Sequence, residues 1–248
     1  MREYPGKRRR RNGQRALPDA ALTFASQWQW PVVPGAGLEP RRPGRRDRTR
    51  ESQESQHSQE SQGSLQPAAR PHDRECTCPY AECAAPGAHP YDPGVLAATT
   101  DPRMVRWWWE QRPDAPVLLA TGGRAPSAVS LPAVTAARAL TRLDRLGVRT
   151  GPVVATPERW ALLVASYGYD ELGELLGEHG WVPASLGFHG EGGYLALPPS
   201  QTGAGRVRWE RAPRPDGGAP WLPPVASVVD VLVAAVVAAP GEGSRFVG

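Results

Sequence analysis

Phe188–Ser200 reads FHGEGGYLALPPS. Gly192-Gly193 separate a short apolar segment from Tyr194-Leu195-Ala196-Leu197, and Pro198-Pro199-Ser200 close that run. The pattern is strand, tight glycine turn, strand, rigid exit. Glycine permits positive φ and a close approach of backbone to a ligand. Proline ends pairing because it donates no N–H. The expectation is a hairpin, with Gly192, Gly193 and Tyr194 as candidate contacts to a nucleotide or nucleic acid. Two adjacent glycines alone specify only the hairpin.

Three further blocks make the hairpin more specific: Cys76–Pro90 (CTCPYAECAAPGAHP), Ala97–Pro113 (AATTDPRMVRWWWEQRP) and Ala115–Gly123 (APVLLATGG). In this order they resemble the bifunctional DNA primase/polymerase N-terminal (prim-pol) domain family, a branch of the archaeal–eukaryotic primases. The resemblance runs from about Ala20 to Trp209. Ala20–Pro34 is similar to the family's opening helix and first strand, and Gly192–Ser200 with Gly205–Trp209 to its closing hairpin. The resemblance implies an α+β fold: a mixed sheet with flanking helices and a zinc-loop insertion.

The departures from the family bear on function. Polymerising members hold divalent metals with an Asp-x-Asp or Asp-x-Glu pair on the strand after TGG. The matching stretch here is AVSLP, which puts Ser130 and Pro132 at the two acidic positions. A third acid precedes the GGY turn by five residues, where this chain has Gly187. A His on the central hairpin is replaced by Trp160 or Ala161, within TPERWALLV. Nucleotidyl transfer needs metal ions bridging the attacking and leaving oxygens, and magnesium or manganese take hard oxygen ligands, chiefly carboxylates. Ser130 is a poor neutral ligand, and Pro132 and Gly187 offer none. Glu191, on the turn, and Asp144, mid-helix, lack the spacing of a metal pair. No catalytic residue is therefore assigned. The resemblance speaks for the fold and the residues speak against the activity.

Cys76-x-Cys78-x4-Cys83-x5-His89 offers three sulfurs and one imidazole, which satisfies tetrahedral zinc and leaves no open position for catalysis. The family has a similar loop, with a Lys where this chain has Ala88. The alternative is a set of free thiols, and His72 is a substitute ligand for His89. All three cysteines lie in this cluster, which suits a reducing, cytoplasmic setting better than disulfides.

Charge is uneven. Residues 1–50 carry 13 Lys+Arg against 4 Asp+Glu, a net of +9, whereas the remainder is −5 and the whole chain +4. The basic character belongs to Lys7–Arg11 and Arg41–Arg50, which attract DNA or RNA phosphates without reading sequence or serve only as solvated arms. No apolar segment follows the basic start, as a secretory signal would require. Val225–Ala239, interrupted by Asp230, is too short to span a bilayer, so it is expected to pack and no membrane partner is expected.

The expected organisation is a disordered basic arm over 1–15, a prim-pol-like domain over 16–215, and a C-terminal helix over 223–240. The domain is interrupted at about 35–71 by a disordered insertion. Within it, Glu51–Gly63 (ESQESQHSQESQG) has no apolar residue with which to offset the cost of ordering. Helices are expected over Pro18–Trp30, from Thr100 as N-cap to Gln111, over Pro132–Leu146, and over Asp170–His179 with Asp170 as cap. The Leu22, Ala25 and Gln29 side of the first should face inward, as should Val134, Ala137, Leu140, Leu143 and Leu146 of the third. Val153–Ala155 and Trp160–Ala165 read as a hairpin. Trp107-Trp108-Trp109 cannot all face one partner on a helix, and core packing is their expected role. Arg206 and Arg208 alternate on a strand and are candidate phosphate contacts.

The leading expectation is a prim-pol domain without polymerising activity, retained to bind nucleic acid, nucleotide or an unknown protein. The alternatives are an active primase/polymerase with atypical ligands for magnesium or manganese, and a structural adaptor held by its zinc loop.

Overall fold

The computed structural model describes residues 15–40, 74–80, 82–214 and 218–239. Most of the expected basic arm, most of the expected insertion with its Glu-Ser-Gln repeat, and His72 lie outside the described residues.

Helix α1 runs over 15–22 and continues as a π-helical turn, Thr23–Gln27. It is already formed at residue 15, ahead of the expected start, and Pro18 lies within it. Its inward side is Ala21, Phe24, Ala25 and Trp28. Of the three expected residues, Ala25 is buried on that face and Leu22 packs against the same core at its edge, whereas Gln29 is exposed beyond the widened turn. Gln29 leaves the helix at φ 55 and its side-chain amide donates to the Ala25 and Ser26 carbonyls. β1 (Val32–Pro34), β2 (Leu38–Pro40) and β3 (Arg74–Cys76) follow. Gly35–Pro40, expected in the insertion, is bonded into the fold: Gly35 N–H donates to Pro116 O at 2.8 Å, and β2 pairs with β3.

Helix α2 (Pro102–Gln111) is capped by Asp101, whose carboxylate accepts from Arg103 N–H at 2.8 Å. The cap is therefore one residue beyond Thr100, and Pro102 takes the first helical position, where a missing N–H costs nothing. Trp108 and Trp109 are buried and Trp107 is exposed. The Trp109 indole donates to Ala115 O at 3.0 Å, so its one polar atom is satisfied in the core.

β4 (Val117–Ala120), β5 (Ser127–Pro132), α3 (Ala133–Arg145), β6 (Val153–Ala155), β7 (Arg159–Val164), α4 (Tyr169–Gly177), β8 (Gly187–His189) and β9 (Tyr194–Leu197) come next. Gly168, without a side-chain bond, precedes α4, and Asp170 lies in its first turn instead of capping it. There it still complements the helix dipole. The α3 inward face is Thr135, Ala136, Ala139, Leu140 and Leu143, while Val134 and Leu146 are exposed. Short ladders β10 (Gln201–Thr202), β11 (Gly205–Arg206) and β12 (Arg208–Arg211) lead to helix α5 (Val229–Val237).

Two antiparallel sheets organise these elements: β1-β4-β9, and β12-β6-β7-β5-β8. The expected hairpin at Phe188–Leu197 is not one. β8 pairs with β5 and β9 pairs with β4, so the glycine turn carries the chain from one sheet to the other. Thr121 makes that transfer tight, donating its hydroxyl to Gly190 O at 2.7 Å and its N–H to Gly193 O at 3.0 Å. A Cβ on Gly122 would lie 2.4 Å from the Glu191 backbone, so the TGG loop must be glycine there.

The five-stranded sheet is buried on both faces, which matches the alternation along β5 and β7. Ala128, Ala161 and Leu163 join α1, α2 and the small sheet in one core. Val129, Leu131, Leu162 and Val164 join α3, α4 and α5 in another. Mixed helices and sheets make this an α+β domain, with α5 packed into the second core. No helix among the described residues is long and apolar enough to cross a membrane.

Candidate functional site

The register of β5 assembles one row of residues. Ser130 lies opposite Ala161 of β7 on one side and Gly187 of β8 on the other, and Pro132 lies opposite Arg159. Three strands far apart in the chain thereby bring together the positions at which the family resemblance implied acids and a histidine. Of the two candidates for the histidine position, Ala161 shares the row, whereas Trp160 lies opposite Leu131 and packs against the second core.

Two residues not singled out from the sequence complete the row. His189 Nε2 lies 2.9 Å from Ser130 Oγ. An Arg159 guanidinium nitrogen donates to Ser130 O at 3.0 Å, Ser130 Oγ at 3.2 Å and Ser185 O at 2.7 Å. A Cβ on Gly187 would stand 2.7 Å from Ser130 Oγ, 3.5 Å from that nitrogen and 3.7 Å from His189 Nε2. Any side chain at 187 would project into this cluster. Burial holds the His189 imidazole below its ordinary pKa, with the Arg159 charge adding to the effect and a bond to the Tyr194 backbone opposing it. The imidazole is thus neutral near pH 7. The sequence signal for both residues was weak: Arg159 begins β7 and His189 ends β8, and only pairing aligns them with Ser130.

The glycine turn behind His189 is shaped by packing. Gly192 has φ 78 and open space around it, whereas a Cβ on Gly193 would meet Thr121 Oγ1 at 2.7 Å. Tyr194 is half-buried opposite Ala120. Tyr167 packs on Gly190, and burial, with Tyr169 nearby, pushes its hydroxyl up to about 12. Arg206 and Arg208 are exposed on either side of buried Val207 and belong to different ladders. Arg208 is paired with Glu210 and lies 5.8 Å from the Trp160 ring.

The second cluster is the cysteine loop. The Sγ atoms of Cys76, Cys78 and Cys83 and a ring nitrogen of His89 all lie within 4.8 Å of one another. His89 Nε2 is 3.3 Å from both Cys76 Sγ and Cys83 Sγ. His89 Nδ1 is 3.1 Å from Pro90 O, a carbonyl that can only accept, so Nδ1 carries the proton and Nε2 presents its lone pair. Burial pushes the Cys83 thiol up to about 11, with Cys78 and Cys76 adding to it. Burial also opposes ionisation of Cys76, yet bonds from the Cys78 and Gly87 backbone, with the Cys78 side chain adding to them, bring it down to about 7. Sulfur and imidazole in this count and arrangement fit a tetrahedral metal such as zinc, whose ligand atoms stand about 3.5–3.8 Å from one another, a spacing that lies between the shortest, 3.3 Å, and the widest, under 4.8 Å, seen in this cluster. The loop is tied to the body through Ala36 N–H to His89 O at 2.9 Å, Thr77 N–H to Gly37 O at 3.0 Å and Gly203 N–H to Pro86 O at 2.7 Å.

Comparison with curated proteins finds no match. Comparison with solved structures finds none either. The family model for the bifunctional DNA primase/polymerase N-terminal domain matches residues 21–224, and with that span covering both sheets and both clusters, the chain belongs to the prim-pol family.

Proposed function

We propose that this prim-pol domain does not transfer nucleotides and is retained to bind nucleic acid or nucleotide. The observation that carries the reading is Arg159. Its guanidinium, bonded to Ser130 and bordering the space that any side chain at 187 would enter, puts a fixed positive charge among the positions expected to hold metal-binding acids. A divalent cation there would meet a hydroxyl, a neutral imidazole and an arginine, with no carboxylate in the row. Two-metal catalysis depends on compensated charge at the attacking and leaving oxygens, and this row supplies the opposite sign. The same groups suit an anion: a guanidinium and hydroxyl donors can meet a phosphate without metal. Family membership supports a nucleotide or nucleic-acid ligand over other anions.

The test is primer synthesis and extension by the full chain with magnesium or manganese, beside binding of single-stranded DNA at several salt concentrations. The expected result is no incorporation together with salt-dependent binding. Template-dependent extension that copurifies with the protein and survives stringent repurification would overturn the silent reading.

A further inference from the structure

On the other face of the five-stranded sheet, away from Ser130 and His189, a groove opens at the outer edge of β12. It has a volume of about 560 Å³, and Asp144, Arg149, Thr150, Arg211, Arg214 and Trp221 are among the residues that line it. Its walls are held in place. Arg211 is bonded to Asp144 and Thr150, bracing the end of β12 against the α3 exit. Ala165 N–H donates to Pro223 O at 2.8 Å, anchoring the segment after Trp221 to the end of β7. Gly151 allows the close approach, since a Cβ there would lie 2.5 Å from Leu163 O and 2.9 Å from Pro223 Cδ.

The groove presents a flat aromatic ring and two cations. Trp221 is 43% exposed, which no packing need explains. The Arg149 guanidinium lies over its ring, 4.0 Å from the centroid. That contact holds the guanidinium against the indole while its N–H groups can still donate. Arg211 and Asp144 compensate each other, and Glu210 pairs with Arg208. Among the described residues no carboxylate pairs with Arg149 or Arg214. Two such arginines beside an indole recognise a phosphate joined to a planar base, and the volume is that of a small-molecule site.

We propose that this groove is a second site, taking one nucleotide unit, with Arg149 and Arg214 on its phosphate and Trp221 with the stacked Arg149 against its base. The unit comes from a free nucleotide or from a single strand, and the proposal rests on the reading that the domain binds such ligands.

The test follows the fluorescence anisotropy of a labelled oligothymidylate with the full chain, competed by unlabelled ATP and, as control, by inorganic phosphate. The Arg149→Glu/Arg214→Glu pair should weaken binding at least tenfold, and losing the contact to one phosphate should shrink the salt slope by about 0.7. Trp221→Ala should cost about tenfold, and Trp221→Phe, which keeps a ring, should cost much less. All these positions are exposed, and an unchanged melting temperature identifies the folded variants. Competition by ATP assigns the site to free nucleotide, and binding without such competition assigns it to a strand. Unchanged affinity in the variants overturns this site while leaving nucleic-acid binding by the domain intact. No binding by the unaltered chain overturns both readings.

Discussion

The loop from Cys76 to His89 and the row around Ser130 are made of the same material, polar side chains on short strands and turns, yet only the loop brings together four groups that could hold a metal ion. In the loop every ligand position is filled, and the His89 tautomer is fixed by Pro90 O. In the row the positions at which the family resemblance implied acids hold a hydroxyl, a proline and a glycine, and an arginine borders the space beside them. A closed tetrahedral site contributes its binding energy to folding. A carboxylate cluster for catalytic metals does the reverse, since like charges repel until the metals arrive. The difference teaches that a closed ligand set supports folding through the metal it can hold, whereas a row with no carboxylate and a guanidinium beside it does not depend on one.

The loop should give the largest effect. Chelation, or Cys78→Ser, is expected to remove about one zinc per chain and to lower the melting temperature by about 10 °C or more, because metal binding and folding are coupled. Metal analysis with calorimetry checks this. A metal-free protein with unchanged melting would place the loop on the same footing as the row and dissolve the contrast.

Next comes Arg159. Its replacement by Ala withdraws the donor shared by Ser130 and Ser185 and is expected to cost about 1–3 kcal/mol in urea unfolding. Arg159→Lys should fall between, since an ammonium lacks the planar fork. The same Ala variant carrying Ser130→Asp and Gly187→Asp should bind manganese more tightly than those two substitutions do with Arg159 present. Equal affinity would remove Arg159 as the charge that opposes a metal.

A smaller effect is set by His189. Its folded pKa is depressed, so at pH above the ordinary imidazole value of about 6.5 neither state is protonated and the full stability is present. As pH falls below that value the unfolded chain takes up a proton that the folded chain refuses. Stability is lost from there down to the folded pKa. Unfolding midpoints measured across this window should show that slope, and His189→Gln should flatten it. A slope unaffected by the substitution would mean the imidazole is not held neutral by burial.

Smallest is Trp107→Ala, which touches neither cluster. The side chain is 55% exposed, and the expected change in stability is within about 0.5 kcal/mol. A cost of core magnitude would show that the exposed tryptophan is packed by something else.

Much of the scaffold was legible residue by residue. Val153–Ala155 and Trp160–Ala165 read as a hairpin from their apolar runs, and the start of the helix ending at Gln111 was read to within one residue of its cap. The Cys/His spacing was sufficient to assemble a ligand set, because four ligands within fourteen residues leave a short loop few ways to close. Helix faces were read less well. The π-helical turn in α1 and the one-residue rotation of α3 follow from which neighbours each helix meets, and local periodicity does not carry that.

The sequence by itself determined the α+β class, the family and the set of Cys76, Cys78, Cys83 and His89, and it puts no carboxylate at Ser130, Pro132 or Gly187, since each rests on residue identity or short spacing. Only the tertiary structure decided that β8 and β9 part company at the glycine turn, because a strand's hydrogen-bonding edges are the same whether its partner is adjacent or 70 residues away. Only it set Arg159 and His189 beside Ser130, and Arg149 over Trp221. Register and packing bring residues together from separated segments, and no segment contains the information about where its partner will lie.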